Sequence, residues 1–504
     1  MTDAQKTKLP EKIQTGIEGL DDILFGGLPS NHLYLITGDP GTGKTTLAMQ
    51  FLLEGVRRGE KGFYVTLSES KHELEEVARS HTWDIDPLSI LEMTPLVEEL
   101  IPEAQYTVFH PADVELVDTV DSILRKIDEV APSRLVFDSL SELRMMARDP
   151  LRYRRQILGL KRHFAGRNCT VLLLDDRTAD GDDLQLQSIA HGVIMLQSLE
   201  RDFGIKRRRL EVRKLRGVKF REGYHHYSIQ TGGLAVYPRL IASEHKPNLD
   251  AKVISSGIDE LDLLLGGGID SGTSTLLMGP AGCGKSAVAI RYAFSAAERG
   301  ENAAIFSFDE TTATLLKRSC GLGMDLQSHI DAGRIVIKQV DPAEMSAGAF
   351  VAEVRDAVEQ KLARVIVIDS LNGFINAMPG EQFLMLQLHE LLSYLNQLGV
   401  ATILTLAQSG FVGPQMSNRV DVSYLADTVL LFRYFEAAGQ VKQAISVLKK
   451  RSGSHERTIR ELRLSAGALE VGTPLTEFEG ILTGNTRFIG NSTDLEFLGT
   501  TAKN

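Results

Sequence analysis

The chain has 504 residues, of which 43% are hydrophobic and 24% charged, as is typical of globular proteins. This length predicts two or more domains. The formal net charge of −11 argues against a globally basic surface for nucleic acid, and no apolar run approaches the roughly 20 residues of a membrane-spanning helix. A polar N-terminus and three cysteines without metal-ligand spacing indicate a cytoplasmic protein with reduced thiols.

In chain order, the first informative motif follows an apolar, β-branched run at residues 33–37. It is a phosphate-binding loop (P-loop), and a helix-like segment comes after it. Its glycines let backbone N–H groups face a phosphate, Lys44 is expected to reach the β- and γ-phosphates, and Thr45 is expected to bind Mg²⁺. The ATP-binding residues predicted here are Gly38, Asp39, Pro40, Gly41, Thr42, Gly43, Lys44, Thr45 and Thr46.

Two carboxylates are predicted to complete this site. A strand at residues 62–67 is followed by Ser68 and Glu69. Glu69 is suited either to activate the water that attacks the γ-phosphate or to cap the next helix. A second strand, at residues 134–138, ends in Asp138, which is either a Walker-B ligand of Mg²⁺ or a helix N-cap. We favour the chemical interpretation of both carboxylates because both follow a P-loop.

A basic string, Arg213-Lys214-Leu215-Arg216, lies late in this half and follows a strand-like run. Lys214 and Arg216 are two residues apart, so they project from the same side of a strand. Such a pair can bind the γ-phosphate of a neighbouring subunit, as an arginine finger does. The alternatives are a solvated cationic strand and a nucleic-acid patch, and the spacing alone favours these.

The second half of the chain repeats the first. Residues 15–21 recur as residues 256–262, and the second P-loop follows the first by 241 residues. Ser286 takes the place of the Mg²⁺-binding threonine, and Asp369 takes the place of the Walker-B aspartate. The ATP-binding residues predicted from the second loop are Gly279, Pro280, Ala281, Gly282, Cys283, Gly284, Lys285 and Ser286.

The glutamate also recurs, but its surroundings differ. The second half has a carboxylate pair, Asp309-Glu310, where the first has Ser68-Glu69. We therefore expect like-charge coupling to raise a carboxyl pKa only in the second half. Cys283 lies inside the second loop, and a small permissive residue is a better interpretation of it than a redox switch.

Apolar strands that alternate with helices predict an α/β fold, with two tandem P-loop domains that each contain a mostly parallel sheet flanked by helices. We place these domains at residues 1–246 and 247–480, and an extended or partly disordered tail at residues 481–504. The predicted strands are residues 62–67, 134–138, 169–174, 303–308, 364–369 and 400–406, and the predicted helices include residues 71–80 and 152–164.

This ordered set of motifs resembles the KaiC family, the RecA-superfamily clock ATPases and autokinases. The resemblance covers roughly residues 16–470 and includes Gly-Ile-x-x-Leu-Asp with Gly-Gly, the P-loop, the glutamate after the strand, Asp-Ser-Leu and Lys-Leu-Arg-Gly. It also includes Asp427-Thr428 before a strand and the segment from Arg451 to His455. It implies two RecA-like domains, homohexameric rings in two tiers, ATP and Mg²⁺ between subunits, slow hydrolysis in the first tier and self-phosphorylation in the second.

The resemblance also assigns roles to residues. It implies catalytic roles for Ser68, Glu69, Asp309 and Glu310, although Ser68 departs from the family's glutamate pair, so that Glu69 substitutes or hydrolysis is weakened. The phosphorylated pair falls on Ser423 and Tyr424; the tyrosine phenol is longer and more acidic than a threonine hydroxyl. The alternative interpretation is that Ser423 and Tyr424 are ordinary interface residues. The residues that would reach a neighbour's nucleotide are Lys214, Leu215, Arg216, Lys449, Lys450, Arg451 and His455.

Three functions follow from the sequence. The leading one is a ring-forming ATPase and serine/threonine autokinase that acts in timing or signalling, with KaiB-like or KaiA-like regulators or signalling kinases as partners. A RecA-like nucleic-acid-dependent ATPase is the second, although the chain shows no added DNA-binding domain and no aromatic-basic loop. A nucleotide-gated hexameric scaffold with little turnover is the third, because of Ser68. We expect neither nucleic acid nor a membrane as a partner.

Overall fold

The computed structural model describes residues 11–93, 111–147, 149–176, 184–200, 204–245, 252–376, 384–408 and 422–490. The chain forms two compact units, and the division falls between Arg239 and Leu240. The domain boundary that the sequence predicts at residue 246 lies outside the described residues, as does the tail from residue 491. Within the described ranges, no helix has the length and apolar character that would let it cross a bilayer.

In the described part of the first unit, helices lie between most of the strands up to residue 189, and four strands follow one another after that. Its elements are β1 (Lys12–Ile13), α1 (Glu18–Ile23), β2 (Leu28–Pro29), β3 (Leu33–Gly38), α2 (Lys44–Arg57), β4 (Gly62–Thr66), α3 (Lys71–Ser80), β5 (Ser89–Glu92), α4 (Pro111–Val130), β6 (Arg134–Asp138), α5 (Leu140–Ala147), α6 (Pro150–Phe164), β7 (Thr170–Asp176), α7 (Leu184–Ile189), β8 (Gly192–Leu199), β9 (Arg207–Leu215), β10 (Tyr224–Gln230) and β11 (Gly233–Tyr237).

The second unit has a similar order of elements after a short 3₁₀ helix at Ala242–Glu244. Its elements are β12 (Val253–Ile254), α8 (Asp259–Leu264), β13 (Ile269–Asp270), β14 (Ser274–Gly279), α9 (Lys285–Glu298), β15 (Asn302–Ser307), α10 (Thr312–Gly321), α11 (Leu326–Asp331), β16 (Ile335–Gln339), α12 (Ala347–Glu359), β17 (Ala363–Asp369), α13 (Leu371–Asn376), α14 (Leu384–Gln397), β18 (Ala401–Ala407), β19 (Thr428–Ala437), β20 (Gln440–Lys450), β21 (Arg460–Ser465), β22 (Ala468–Pro474), β23 (Phe478–Glu479) and β24 (Arg487–Phe488).

The two large sheets have the same strand order. The first runs β11-β10-β9-β8-β3-β7-β6-β4-β5, and the second runs β22-β21-β20-β19-β14-β18-β17-β15-β16. The six strands from β8 to β5 are parallel, and so are the six from β19 to β16, whereas the other strands join antiparallel. The predicted α/β fold with two tandem, mostly parallel sheets is therefore confirmed.

Each sheet separates two hydrophobic cores. Along β3, Tyr34 and Ile36 belong to one core, whereas Leu33 and Leu35 belong to the core on the other face. The second unit divides its cores in the same way. Alternation of side chains along a strand explains why a continuous apolar run is needed when both faces are covered. The four side chains named here are at most 5% exposed.

Local sequence sets where several helices begin. Ser70 precedes α3, and its hydroxyl accepts a hydrogen bond from Glu73 N at 3.3 Å. Ser70 N donates in turn to Glu73 Oε2 at 2.7 Å, which completes a capping box. Asp149 caps α6, and Pro150 occupies its first turn, where no backbone N–H is missed. The described part of the predicted tail contains β24, which pairs with β23.

Candidate functional site

In the first unit, the parallel strands bring the predicted site residues to one edge of the sheet. The P-loop follows β3, Glu69 follows β4, and Asp138 ends β6. Because parallel strands have their carboxyl ends on the same side, these three groups converge there. The structure adds Asp176, which ends β7 and pairs through its Cα with Gly38. The sequence prediction ended this strand at residue 174 and so missed it.

The P-loop residues 38–46 connect β3 to the first turn of α2. Gly43 precedes the helix with a φ of 91°, a left-handed conformation that favours glycine, and no described side chain caps this helix end. Gly284 has the same place and a φ of 99° in the second unit. Backbone N–H groups at both helix ends can therefore bind a phosphate, as the motif predicts.

The ammonium of Lys44 is nearly buried and makes three contacts. It donates to the carbonyl oxygens of Gly38 at 3.0 Å and Asp39 at 3.2 Å. It also forms an ion pair with Asp176 Oδ1 at 2.5 Å. Lys285 donates to the carbonyl oxygens of Gly279 at 2.9 Å and Pro280 at 2.6 Å. The two lysines therefore have the same carbonyl contacts and differ in the carboxylate.

The residues predicted to hold Mg²⁺ at the first loop lie together. The Thr45 hydroxyl donates to Asp138 Oδ2 at 3.3 Å, and the Tyr64 hydroxyl donates to the same oxygen at 2.5 Å. Burial raises the pKa of Asp138, the Tyr64 hydrogen bond opposes this, and the charge of Asp176 adds to it. A buried carboxylate beside a hydroxyl and the P-loop lysine fits a hydrated Mg²⁺ that is shared with phosphates.

Glu69 has a side chain that no described hydrogen-bond donor satisfies. Its Oε2 atom is buried and accepts no hydrogen bond from the described residues. Burial is the main cause that raises the pKa of Glu69 to about 7, and the charges of Asp138, Glu73 and Asp176 add to it, whereas Lys44 opposes it. The expectation that like-charge coupling acts only in the second half is therefore wrong, because two carboxylates distant in sequence, Asp138 and Asp176, also raise the pKa of Glu69. Ser68 is exposed.

The second unit holds its Walker-B aspartate differently. Asp369 ends β17, and its Oδ1 atom accepts a hydrogen bond from the Thr405 hydroxyl at 2.5 Å. Thr405 lies on β18, whereas Tyr64, which holds Asp138, lies on β4. Ser286 follows Lys285 in the first turn of α9, which is where the motif requires the hydroxyl.

The second unit pairs its glutamate, Glu310, with an arginine. Arg318, on α10, donates from Nε to Glu310 Oε1 at 3.2 Å and from Nη2 to Oε2 at 2.6 Å. Asp309 accepts a hydrogen bond from the Ser370 hydroxyl at 2.5 Å. The residue 241 positions before Arg318 is Val77, so the first unit has no arginine at this place. Arg318 lies eight positions after Glu310, so a motif scan of the strand end does not find the pair.

Cys283 is fully buried in the second loop. Its thiol donates to the carbonyl oxygen of Pro280 at 2.9 Å. Burial raises its pKa, and the nearby Lys285 ammonium opposes this. A raised pKa disfavours the thiolate, which is the reactive form, and this argues for the permissive residue over the redox switch.

The basic strings lie at the ends of β9 and β20. Lys214 Nζ donates to the carbonyl oxygens of Gln187 at 2.6 Å and Ala190 at 2.8 Å. Arg216 Nη2 donates to the carbonyl oxygen of Ser188 at 2.8 Å. The two cations therefore share one side, as predicted, whereas Leu215 between them is buried in the core.

In the second unit, the same arrangement supports the predicted phosphoacceptors. Lys449 Nζ donates to the carbonyl oxygen of Ser423 at 3.1 Å, and Arg451 Nη2 donates to that of Tyr424 at 3.1 Å. Ser423 is half-buried, and Tyr424 is 56% exposed. The side chain of Arg451 is 54% exposed. The structure therefore brings the finger residues and the acceptor pair of one chain together.

Two residues of the predicted finger set lie elsewhere. Lys450 Nζ donates to the carbonyl oxygens of Leu265 at 2.7 Å and Gly268 at 3.1 Å, and it pairs with Asp270 at 3.2 Å. The backbone next to His455 packs against the same turn, because Glu456 N donates to the carbonyl oxygen of Leu264. Both residues therefore lie near the turn between α8 and β13.

Comparisons with known proteins agree with this arrangement. The family model for the KaiC ATPase matches residues 13–241 and again residues 254–475. The circadian clock protein KaiC3 of Synechocystis sp. is 25% identical over 493 residues, and the alignment covers 97% of each chain. The circadian clock oscillator proteins KaiC of Picosynechococcus sp. and Synechococcus elongatus are each 26% identical, over 94% of this chain and over 92% and 91% of theirs. The chain therefore belongs to the KaiC family and is a KaiC-like ATP-binding protein.

Proposed function

We propose that this protein assembles into a homohexameric ring, hydrolyses ATP at the first P-loop and transfers the γ-phosphate of ATP to Ser423 at the second, with Mg²⁺ as cofactor. One observation carries the proposal: in each unit, the finger residues lie at the end of the P-loop strand (β3 or β14) opposite the P-loop, and in the second unit the acceptor segment lies there too. A shared site between subunits follows from this placement.

The distance along β14 between the acceptor segment and the P-loop supports transfer between subunits. Asp427 N donates to the carbonyl oxygen of Ser274, the first residue of β14, at 2.8 Å, and Ser423 lies just before it. The P-loop begins at Gly279, the last residue of β14. Strand geometry separates these two ends by about 17 Å. This distance supports transfer of phosphate to the Ser423 hydroxyl from another subunit's loop.

Hydrolysis at the first loop rests on Glu69. Its free carboxylate oxygen can accept a proton from the water that attacks the γ-phosphorus, and a pKa near 7 suits a general base at neutral pH. Lys44 would hold the β- and γ-phosphates. When bound, Mg²⁺ would neutralise charge that develops on the transferred group, held by Thr45 and Asp138 at the first loop and by Ser286 and Asp369 at the second.

Transfer to Ser423 at the second loop exchanges one oxygen for another on the γ-phosphorus. The Ser423 oxygen forms the new bond, the bond to the ADP oxygen breaks, and the hydroxyl proton passes to Asp309 or Glu310 of the subunit that holds the nucleotide. Lys449 and Arg451 position the acceptor through its backbone, and the exposed Arg451 guanidinium is placed to bind the neighbour's phosphate. Tyr424, next to Ser423, is the second candidate acceptor.

Mixing two variants tests transfer between subunits. Lys285→Ala removes the second loop's nucleotide site but keeps the acceptor, and Ser423→Ala with Tyr424→Phe removes the acceptors but keeps the loop. We expect each variant to stay unlabelled alone with Mg·ATP and the Lys285→Ala chain to gain phosphate at Ser423 in the mixture, as read by phosphosite mapping. Addition of Ser423→Ala and Tyr424→Phe to the Lys285→Ala chain is the control. No label in the mixture, with wild type labelled, would contradict transfer between subunits.

The assembly and its partners are tested separately. We expect mass photometry to show six-chain particles with ATP and smaller species without it. The curated relatives are named as circadian clock proteins, so KaiB-like or KaiA-like regulators, or signalling kinases, are the candidate partners. ATP turnover that DNA stimulates, with a steep salt dependence, would instead favour the nucleic-acid ATPase.

A further inference from the structure

The ion pair between Lys44 and Asp176 distinguishes the two P-loops. Asp176 ends β7 beside the P-loop strand, and its Cα is the register partner of Gly38. The Lys44 ammonium lies 2.5 Å from Asp176 Oδ1, and the two side chains are 9% and 27% exposed. A charge pair that is mostly screened from water is stronger than one at the surface.

The contacts of Lys44 account for every donor that it has. An ammonium has three N–H groups, and Lys44 contacts two loop carbonyls and the Asp176 carboxylate. A lysine in this motif reaches the β- and γ-phosphates. The Asp176 carboxylate therefore occupies a position on the ammonium that a phosphate oxygen would take, and nucleotide binding must displace it or share the lysine with it.

The second unit supplies an internal comparison. The register partner of Gly279 is Ala407, so a methyl group stands where the first unit has Asp176. Lys285 contacts two loop carbonyls and, at 3.7 Å, the sulfur of Cys283. Sulfur is a weak acceptor without a full charge here, so a phosphate oxygen meets no anionic competitor for Lys285.

A triphosphate is affected more than a diphosphate. A diphosphate that displaces one of the two loop carbonyls can bind Lys44 through its β-phosphate and leave one donor for Asp176. A triphosphate uses the same ammonium for the β- and γ-phosphates and adds the γ charge close to the Asp176 carboxylate. We infer that Asp176 is a specificity-determining residue that lowers the affinity of the first P-loop for nucleoside triphosphates relative to diphosphates. This inference rests on the proposed nucleotide site at the first loop.

The test measures binding to one loop at a time in the full chain. In a Lys285→Ala background, the probes are Mg²⁺ with ADP and Mg²⁺ with a non-hydrolysable β,γ-imido triphosphate, each read by displacement of a fluorescent nucleotide. We expect Asp176→Asn to tighten triphosphate binding about tenfold and to change diphosphate binding less than about threefold. Asp176→Ala is expected to act in the same direction, which guards against a local defect of the amide.

The reciprocal variant is Ala407→Asp in a Lys44→Ala background. We expect it to weaken triphosphate binding at the second loop more than diphosphate binding. An unchanged ratio in Asp176→Asn, or triphosphate binding that weakens because Asp176 helps to hold Mg²⁺, would overturn the inference while leaving the first loop a nucleotide site. Loss of all nucleotide binding in the Lys285→Ala protein would overturn the first loop as a nucleotide site, and this inference with it.

Discussion

The glutamates of the two units have the same backbone support and different side-chain surroundings. The Thr66 hydroxyl donates to the carbonyl oxygen of Glu69 at 2.7 Å, and the Ser307 hydroxyl donates to that of Glu310 at 2.7 Å. Glu310 is then bound by Arg318 through both oxygens, whereas Glu69 has a buried oxygen that accepts no hydrogen bond from the described residues. A duplicated fold can therefore keep one scaffold and change its chemistry through a residue on the following helix.

The largest expected effect in this comparison is the loss of the first unit's base. In a Lys285→Ala background, Glu69→Gln should lower ATP turnover at least about 100-fold, because a positioned base contributes roughly that much or more. Phosphate release is the measurement, and Ser68→Ala, which changes the exposed neighbour, is the control with an expected effect below about twofold. Equal turnover in Glu69→Gln and its parent would instead support the scaffold with little turnover.

The pH dependence sharpens the same point. Glu69 must be deprotonated to accept a proton, and its pKa is raised to about 7, so lower pH removes the active form. Turnover at the first loop should therefore fall about tenfold from pH 8 to pH 6. The residual turnover of Glu69→Gln should change little over this range, and a flat profile in the parent protein would contradict the role of Glu69.

Exchange of the helix residue tests whether the arginine causes the difference. Val77→Arg should lower first-loop turnover about fivefold, because a guanidinium beside Glu69 would occupy the free carboxylate. Arg318→Val should raise hydrolysis at the second loop severalfold, on the order of fivefold, in a Lys44→Ala background. Arg318→Lys is the matched control, and its hydrolysis should lie between those of Arg318→Val and its parent. If neither Val77→Arg nor Arg318→Val changed hydrolysis, the arginine would not be the cause of the difference between the two loops.

The smallest expected effect concerns the Walker-B aspartates. Tyr64→Phe removes one of the two hydroxyls that donate to Asp138. It should raise the Mg²⁺ concentration needed for half-maximal first-loop turnover about threefold. Thr405→Val is the counterpart at Asp369 and should act on labelling of Ser423 alone. An effect of Tyr64→Phe on Ser423 labelling that equals its effect on turnover would show that the two loops are not separable in this way.

Much of the fold was predictable because its signals are local. The apolar run at residues 33–37 and the glycines after it predict a strand and a loop, and the capping pair Ser70 and Glu73 marks the start of α3. The strand order also follows the repeat, because both halves share their motifs at nearly the same spacing.

The rest of the site depends on contacts between distant residues. Asp176 lies 132 positions after Lys44. The predicted strand ended at residue 174, before Asp175 and Asp176, so the position of Asp176 at the strand end was missed. Arg318 lies on α10 and Tyr64 lies on β4, and the motifs do not determine which carboxylate each side chain contacts. The raised pKa of Glu69 comes first from its burial and then from the charges of three other carboxylates, and no single segment contains these causes.

The placement of Ser423 at the far end of β14 from Gly279 has a kinetic consequence. In the proposed transfer between subunits, a lone subunit cannot phosphorylate its own Ser423, so the initial labelling rate of dissociated protein would rise with the square of its concentration. Once the proposed rings form, the rate per chain would become constant. Cellular abundance would then be an input to the phosphorylation state, because halving the amount of chain near the assembly threshold would remove more than half of the phosphorylated Ser423.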